Sequence, residues 1–184
     1  MTKIIGSAAL APGAATSVSF ELLDYEDFSA DAASYTFTPS SALTADNYSQ
    51  FLITITGKTD AVNALPTIIF SSSSSNVYAV GATIEANGDR TSLTVSNTAP
   101  INIGNATTFP SANLNFTCLI SVTINPLLGY ITGYMQTMNG NALFSEQKWF
   151  EVQATNISSV QIDMTSTGKF KADTRFAMYG LKTS

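Results

Sequence analysis

The sequence contains no histidine, a single cysteine and very little charge: 11% of 184 residues are Asp, Glu, Lys or Arg. Without histidine the chain lacks the commonest general base, the commonest metal ligand and the usual switch near neutral pH. Cys118 alone cannot form an internal disulfide or a cysteine-rich zinc site. Eight Lys and Arg stand against thirteen Asp and Glu, for a net charge of −5. That balance excludes the basic footprint of a nucleic-acid binder. No apolar run approaches the ~18 residues that a membrane-spanning helix needs. The start, from Met1 to Ala15, faintly resembles a signal peptide, but Gly6, Pro12 and Gly13 interrupt its short apolar part. It is expected to be retained.

Ser, Thr and Asn are abundant, and their side chains compete with helical backbone for hydrogen bonds. Alternating Thr, Val, Ile, Phe and Tyr favour strands instead. Four Asn-x-Ser/Thr sequons, at Asn47, Asn105, Asn115 and Asn156, are about what thirteen asparagines give by chance, and they carry no information. Residues 1–16 show no strand pattern and are read as an extended arm. From there, strands are expected at Ser17–Leu23, Ser34–Thr38, Phe51–Thr56, Thr67–Phe70, Val77–Glu85 and Thr91–Ser96, then at Phe116–Ile124, Tyr130–Met138, Trp149–Ala154, Ile157–Met164 and Phe176–Leu181. Asn87-Gly88 marks a hairpin. The five serines from Ser71 to Ser75 and residues 98–114 read as loops, and Ser29–Ala33 could form one helical turn. The expectation is an all-β protein: one antiparallel, jelly-roll-type β-sandwich over residues 17–184, preceded by the arm.

Residues 91–145 hold no charged side chain. Such a run suits a core hairpin with polar loops. It equally suits a surface covered by neighbouring subunits, because interface cores are depleted in charge. Glu21, Asp24, Glu26, Asp27 and Asp31 form an acidic cluster, read as a solvated loop. Five of the eight basic residues fall at or after Lys148, so the charges of the two ends could also pair.

A search for catalytic chemistry finds none. A serine nucleophile without histidine would need a lysine partner; Ser145-Glu146-Gln147-Lys148 and Ser166-Thr167-Gly168-Lys169 have Ser-x-x-Lys spacing, but so short and permissive a pattern does not by itself name a nucleophile. Glu85 and Asp89 read as a charged hairpin tip rather than a glycosidase pair. Asp24-Tyr25-Glu26-Asp27 lacks the glycine-containing calcium loop. Trp149, Phe150, Tyr130 and Tyr134 could stack on a sugar, although aromatics on adjoining strands are more often core or cross-strand pairs. No catalytic residue, cofactor or metal is expected.

The last segment runs through the alternating strand Ile157–Ile162, the turn Gly168-Lys169-Phe170, and a final strand from Phe176 to Tyr179-Gly180-Leu181. It resembles the ending of many bacteriophage virion proteins. Tyr35-Thr36-Phe37, Tyr48 and Phe51–Ile55 resemble the strand, loop and strand that open the same sandwich. Ala172-Asp173 departs from the family, which often has Gly-Ser there. The resemblance covers around a third of the chain. It implies a non-enzymatic structural protein on the outer surface of a phage particle, often a homotrimer. A capsid decoration (cement) protein bound to the major capsid protein fits the short chain. A tail-fibre or receptor-binding domain, with a host-surface glycan or receptor as partner, is the alternative. The arm, with Ile4, Ile5 and Leu10, is the expected partner-binding segment, and neither nucleic acid nor membrane is an expected partner.

Overall fold

The structure is a computed structural model that describes residues 20–60, 66–71, 77–85, 90–96, 100–103, 115–125, 127, 129–139, 144–154, 156–165 and 167–182. The arm and its Ile4, Ile5 and Leu10 lie outside the described residues, as do residues 72–75 of the serine run, Asn87-Gly88, Asp89, and most of 98–114.

Fourteen strands follow one another: β1 (Phe20–Asp27), β2 (Ser34–Phe37), β3 (Leu43–Thr44), β4 (Tyr48–Lys58), β5 (Pro66–Phe70), β6 (Val77–Glu85), β7 (Arg90–Ser96), β8 (Ile101–Asn102), β9 (Asn115–Asn125), β10 (Tyr130–Asn139), β11 (Phe144–Val152), β12 (Asn156–Ile157), β13 (Val160–Met164) and β14 (Arg175–Lys182). Every pairing is antiparallel. An eight-stranded sheet has the order β1-β14-β4-β9-β10-β11-β6-β7, a four-stranded sheet the order β2-β13-β5-β8, and β12 pairs with β3. The chain is an all-β, jelly-roll-type β-sandwich, and no described residue is helical.

Alternation places the core. Phe51, Ile53 and Ile55 of β4, and Phe116, Cys118, Ile120, Val122 and Ile124 of β9, are buried, while the residues between them face outward. They meet Phe37, Ile68, Phe70, Val160 and Ile162 of the smaller sheet in one hydrophobic core. Aromatic rings join the layers. Phe37 lies 6.1 Å from Phe176, Phe51 6.3 Å from Phe70, and Phe70 5.7 Å from Phe150 in a stacked pair. Cys118 is an ordinary buried residue and accepts a hydrogen bond from the Thr137 hydroxyl at 3.4 Å.

Gly133 sits opposite Phe150 in the β10–β11 register, and the Phe150 ring covers it. A Cβ there would run into that ring, which is held against Phe70 and cannot swing away freely. Gly133→Ala is therefore expected to destabilise the fold by about 1–3 kcal/mol through overpacking, measurable by urea denaturation. An unchanged midpoint would show that the ring is not confined.

Several expectations need correction. Ser29–Ala33 forms no helical turn; Ala32 instead makes an isolated bridge to Phe170. The expected strand at 157–164 is broken, because Ser158 and Ser159 turn between β12 and β13. The backbone N–H groups of both residues donate to the Ser71 hydroxyl, at 2.9 and 3.0 Å. That first serine of the run is thus a tie to the opposite segment. Residues 101–102, expected in a loop, pair with β5. Phe20 and Leu22 share one face as expected, but that face is open. The first strand extends to Asp27 with a register shift between Leu22 and Asp24.

Candidate interaction face of the large sheet

The four-stranded sheet packs against one face of the eight-stranded sheet, and among the described residues no second sheet covers the other, outer face. Cross-strand registers fix the outer rows. Leu22 pairs with Tyr179, Tyr179 with Leu52, Leu52 with Ser121, Ser121 with Tyr134, and Tyr134 with Trp149. The next row holds Tyr25, Ala177, Thr54, Leu119, Gln136 and Gln147. Trp149 is 50% exposed, Leu119 39% and Met138 44%, while Phe20, Leu22 and Tyr25 of β1 are 60%, 55% and 47% exposed. The outer residues of β4 up to Thr56, and those of β9 and β10, include no charge. Charges lie toward the margins, at Glu151 of β11 and at the Asp27–Arg175 ion pair of 3.1 Å.

The size of this face decides what it can do. Six adjacent strands at ~4.8 Å spacing, over about eight residues at ~3.4 Å, make a patch of roughly 800 Å². A standard specific protein interface takes about 800 Å² per partner. Isolated exposed apolar residues need no explanation, but a face of this size whose charges, Glu151, Asp27 and Arg175, sit only at its margins is a candidate interaction surface.

Of the four aromatics that could form a sugar platform, the structure keeps two together on the surface. The Tyr134 and Trp149 rings are 5.3 Å apart at 55°. Phe150 points the opposite way into the core, as period-two alternation requires, and Tyr130 is half-buried at the start of β10.

The acidic cluster is not a solvated loop. Glu21, Asp24, Glu26 and Asp27 lie on β1, and several side chains have intramolecular partners. The Tyr35 hydroxyl and the Thr38 N–H donate to Asp24 at 2.9 and 2.8 Å. Lys171 donates to Asp31 at 2.6 Å, and the Ala172 N–H to its other oxygen at 3.0 Å. These donors hold the Asp31 carboxyl below its ordinary range, the lysine bond contributing most. Lys182 lies 3.8 Å from Glu21. The acids of the first strand and the bases of the last therefore pair within one chain. Among the described residues no group of three His, Cys, Asp or Glu can hold a metal ion.

Ala172-Asp173, where the chain departs from the family pattern, is the tightest turn of this end. Asp173 adopts φ 68°, the left-handed region that Gly occupies most readily and Asp tolerates. Its N–H donates to the Phe28 carbonyl at 2.7 Å.

Burial first, then the hydrogen bond to Asp24, raises the Tyr35 phenol well above its ordinary value. A folded-state pKa above the unfolded one contributes stability that is complete below about pH 10 and is lost as pH rises through the folded value. Stability is thus expected to fall on alkaline titration above pH ~10, and Tyr35→Phe to flatten that slope. Denaturation midpoints between about pH 8 and 11.5 check this, and an identical slope in the variant would remove Tyr35 from the account.

No protein-family model and no curated protein matches this chain. Among solved structures it is similar to the PL-14 alginate lyase from Aplysia kurodai, at 8% identity and TM-score 0.34, over 86% of this chain and 80% of that one. It is also similar to peanut lectin, at 8% identity and TM-score 0.24, over 95% and 96% of the two chains. A third is the VP2 subviral particle of infectious bursal disease virus, at 11% identity and TM-score 0.14, over 90% of this chain and 41% of that one. Likenesses this distant carry no functional argument.

Proposed function

We propose that the protein is a structural component of a virion, a non-enzymatic decoration protein that binds the outside of a phage head as a homotrimer and stabilises it. The observation that carries this reading is the outer face of the large sheet, whose central strands β4 up to Thr56, β9 and β10 present no charge and whose six described outer strands cover roughly 800 Å², the size of a standard interface. The major capsid protein is its partner there. The segments that resemble phage virion proteins support the reading, because they are neighbours in the fold. Tyr35–Phe37 pairs with β13, and Phe51–Ile55 pairs with Phe176–Gly180. Pairing the last strand among the opening strands is how such a sandwich closes. The chemistry points the same way: the chain has no histidine, and the Glu21, Asp24 and Asp27 carboxylates of β1 are engaged in structural contacts.

The test is to add purified protein to heads stripped of it, then measure saturating stoichiometry and the temperature at which heads rupture. Saturation at hundreds of copies with a higher rupture temperature is expected. No binding, or binding only to tails, would refute the proposal. A second reading, a receptor-binding domain of a tail, draws on one observation: the exposed Tyr134–Trp149 pair offers a surface on which a glycan ring could stack. Binding to host-cell glycans that is lost on Trp149→Ala would favour it.

A further inference from the structure

β1 is an edge strand of the eight-stranded sheet, and among the described residues it pairs only with β14. It is eight residues long, and no described strand covers its other edge. Open edges of this length are usually blunted or covered, because their unpaired backbone groups recruit another strand. This one also presents Phe20, Leu22 and Tyr25, three of the seven large apolar side chains that are exposed among the described residues. Its four carboxylates, on Glu21, Asp24, Glu26 and Asp27, oppose pairing with a second β1.

Nineteen residues precede Phe20, and their one charge is Lys3. We propose that residues 3–10 of one copy add as an extra strand to the open β1 edge of a neighbouring copy, so that exchanged N-terminal segments hold the trimer together. This inference rests on the trimeric part of the function proposed above. Three features select this occupant. Residues 3–10 contain no proline and no acid, include Ile4, Ile5 and Leu10, and match β1 in length. Lys3 complements an acidic edge. The nine residues 11–19 can span about 30 Å when extended, enough to cross to an adjacent subunit.

Folding back onto the same copy's β1 does not serve. A turn at Pro12-Gly13 would place Ile5 opposite Phe20, Ile4 opposite Glu21 and Lys3 opposite Leu22, so that residues 3–10 leave Leu23 to Asp27 uncovered. A turn at residues 17–19 would place Pro12, which has no N–H to donate, in the middle of the added strand. Exchange between copies avoids both problems. Backbone hydrogen bonds give such strand addition its affinity, alternate side chains give its specificity, and three simultaneous exchanges reinforce one another.

The test compares the full chain, a chain lacking residues 2–15, and full-length Ile5→Pro, which keeps the segment's length but removes a strand donor. Sedimentation velocity reports the oligomer, circular dichroism the fold, and hydrogen exchange the protection of the Leu22–Asp27 amides. The full chain is expected to be a trimer. Both variants are expected to keep the β spectrum, to dissociate at concentrations at least tenfold higher, and to exchange the β1 amides at least tenfold faster. Trimers that persist in both variants would overturn the inference. So would a full-length monomer whose β1 amides stay protected on dilution, which would place the segment on its own edge. Failure of the head-decoration reading looks different: an arm-linked trimer that binds no heads.

Discussion

Replacing Leu52 with Arg is expected to cut head binding by at least tenfold while leaving the fold intact. Leu52 lies on the outer side of β4, in the uncharged row between Tyr179 and Ser121. The position is half-buried in the isolated chain, and a long side chain there can reach water. Substitutions of this kind usually change stability by less than ~0.5 kcal/mol. In the docked state the guanidinium would be trapped against a partner with no countercharge. Such unpaired polar burial costs about 1–3 kcal/mol, and each 1.4 kcal/mol is tenfold in affinity. A trimer carries the penalty three times, so the loss of occupancy exceeds that of a single site. Leu52→Ser, which stays neutral, should lose far less. The measurement is occupancy of stripped heads against protein concentration. Equal occupancy by Leu52→Arg and the unaltered protein would remove this face from the interface.

Phe176→Ala is expected to produce the largest loss of stability, about 3–5 kcal/mol. Phe176 is fully buried on β14, and its ring meets four aromatic partners. Phe28 lies at 5.1 Å, Tyr35 at 5.5 Å, Phe37 at 6.1 Å and Phe170 at 5.1 Å. These rings come from β1's end, from β2 and from the turn before β14, so the cavity would open where both sheets and the turn meet. Aromatic pairs add about 0.5–1.5 kcal/mol beyond their area. Against a total stability of roughly 5–15 kcal/mol, the variant should melt far below the unaltered chain or fail to accumulate. A loss under ~1 kcal/mol in urea denaturation would mean that the cluster is not the keystone described here.

Much of the sandwich was legible because two-residue periodicity and turn chemistry are local. Val77–Glu85 and Tyr130–Met138 coincide with strands to within a residue, and Asn87-Gly88 lies between β6 and β7. The broken stretch at 157–164 was not legible, because the tie that breaks it comes from Ser71, 87 residues away in the chain. The alternation of β1 puts Phe20 and Leu22 on a common face, but alternation cannot say which face a second layer will cover. That depends on which side of the large sheet the smaller sheet packs against, which only the tertiary structure shows. The acidic cluster failed as a loop for a related reason: its partners Lys171, Arg175 and Lys182 lie at the other end of the sequence. In the candidate face, the sequence offers four aromatics, Trp149, Phe150, Tyr130 and Tyr134, without saying which two share a surface. The uncharged rows that join Tyr134 and Trp149 to Leu52 and Tyr179 emerge only once the strand order is known.

The central claim is that this chain coats a phage head through the outer face of its large sheet. Imaging purified particles to side-chain resolution tests it most directly. The expected map shows hundreds of copies on the head as trimers, with Leu52, Leu119, Tyr134 and Trp149 covered by the capsid shell. A map that places the protein only at the tail, or that leaves this face open to solvent on the head, would contradict the account.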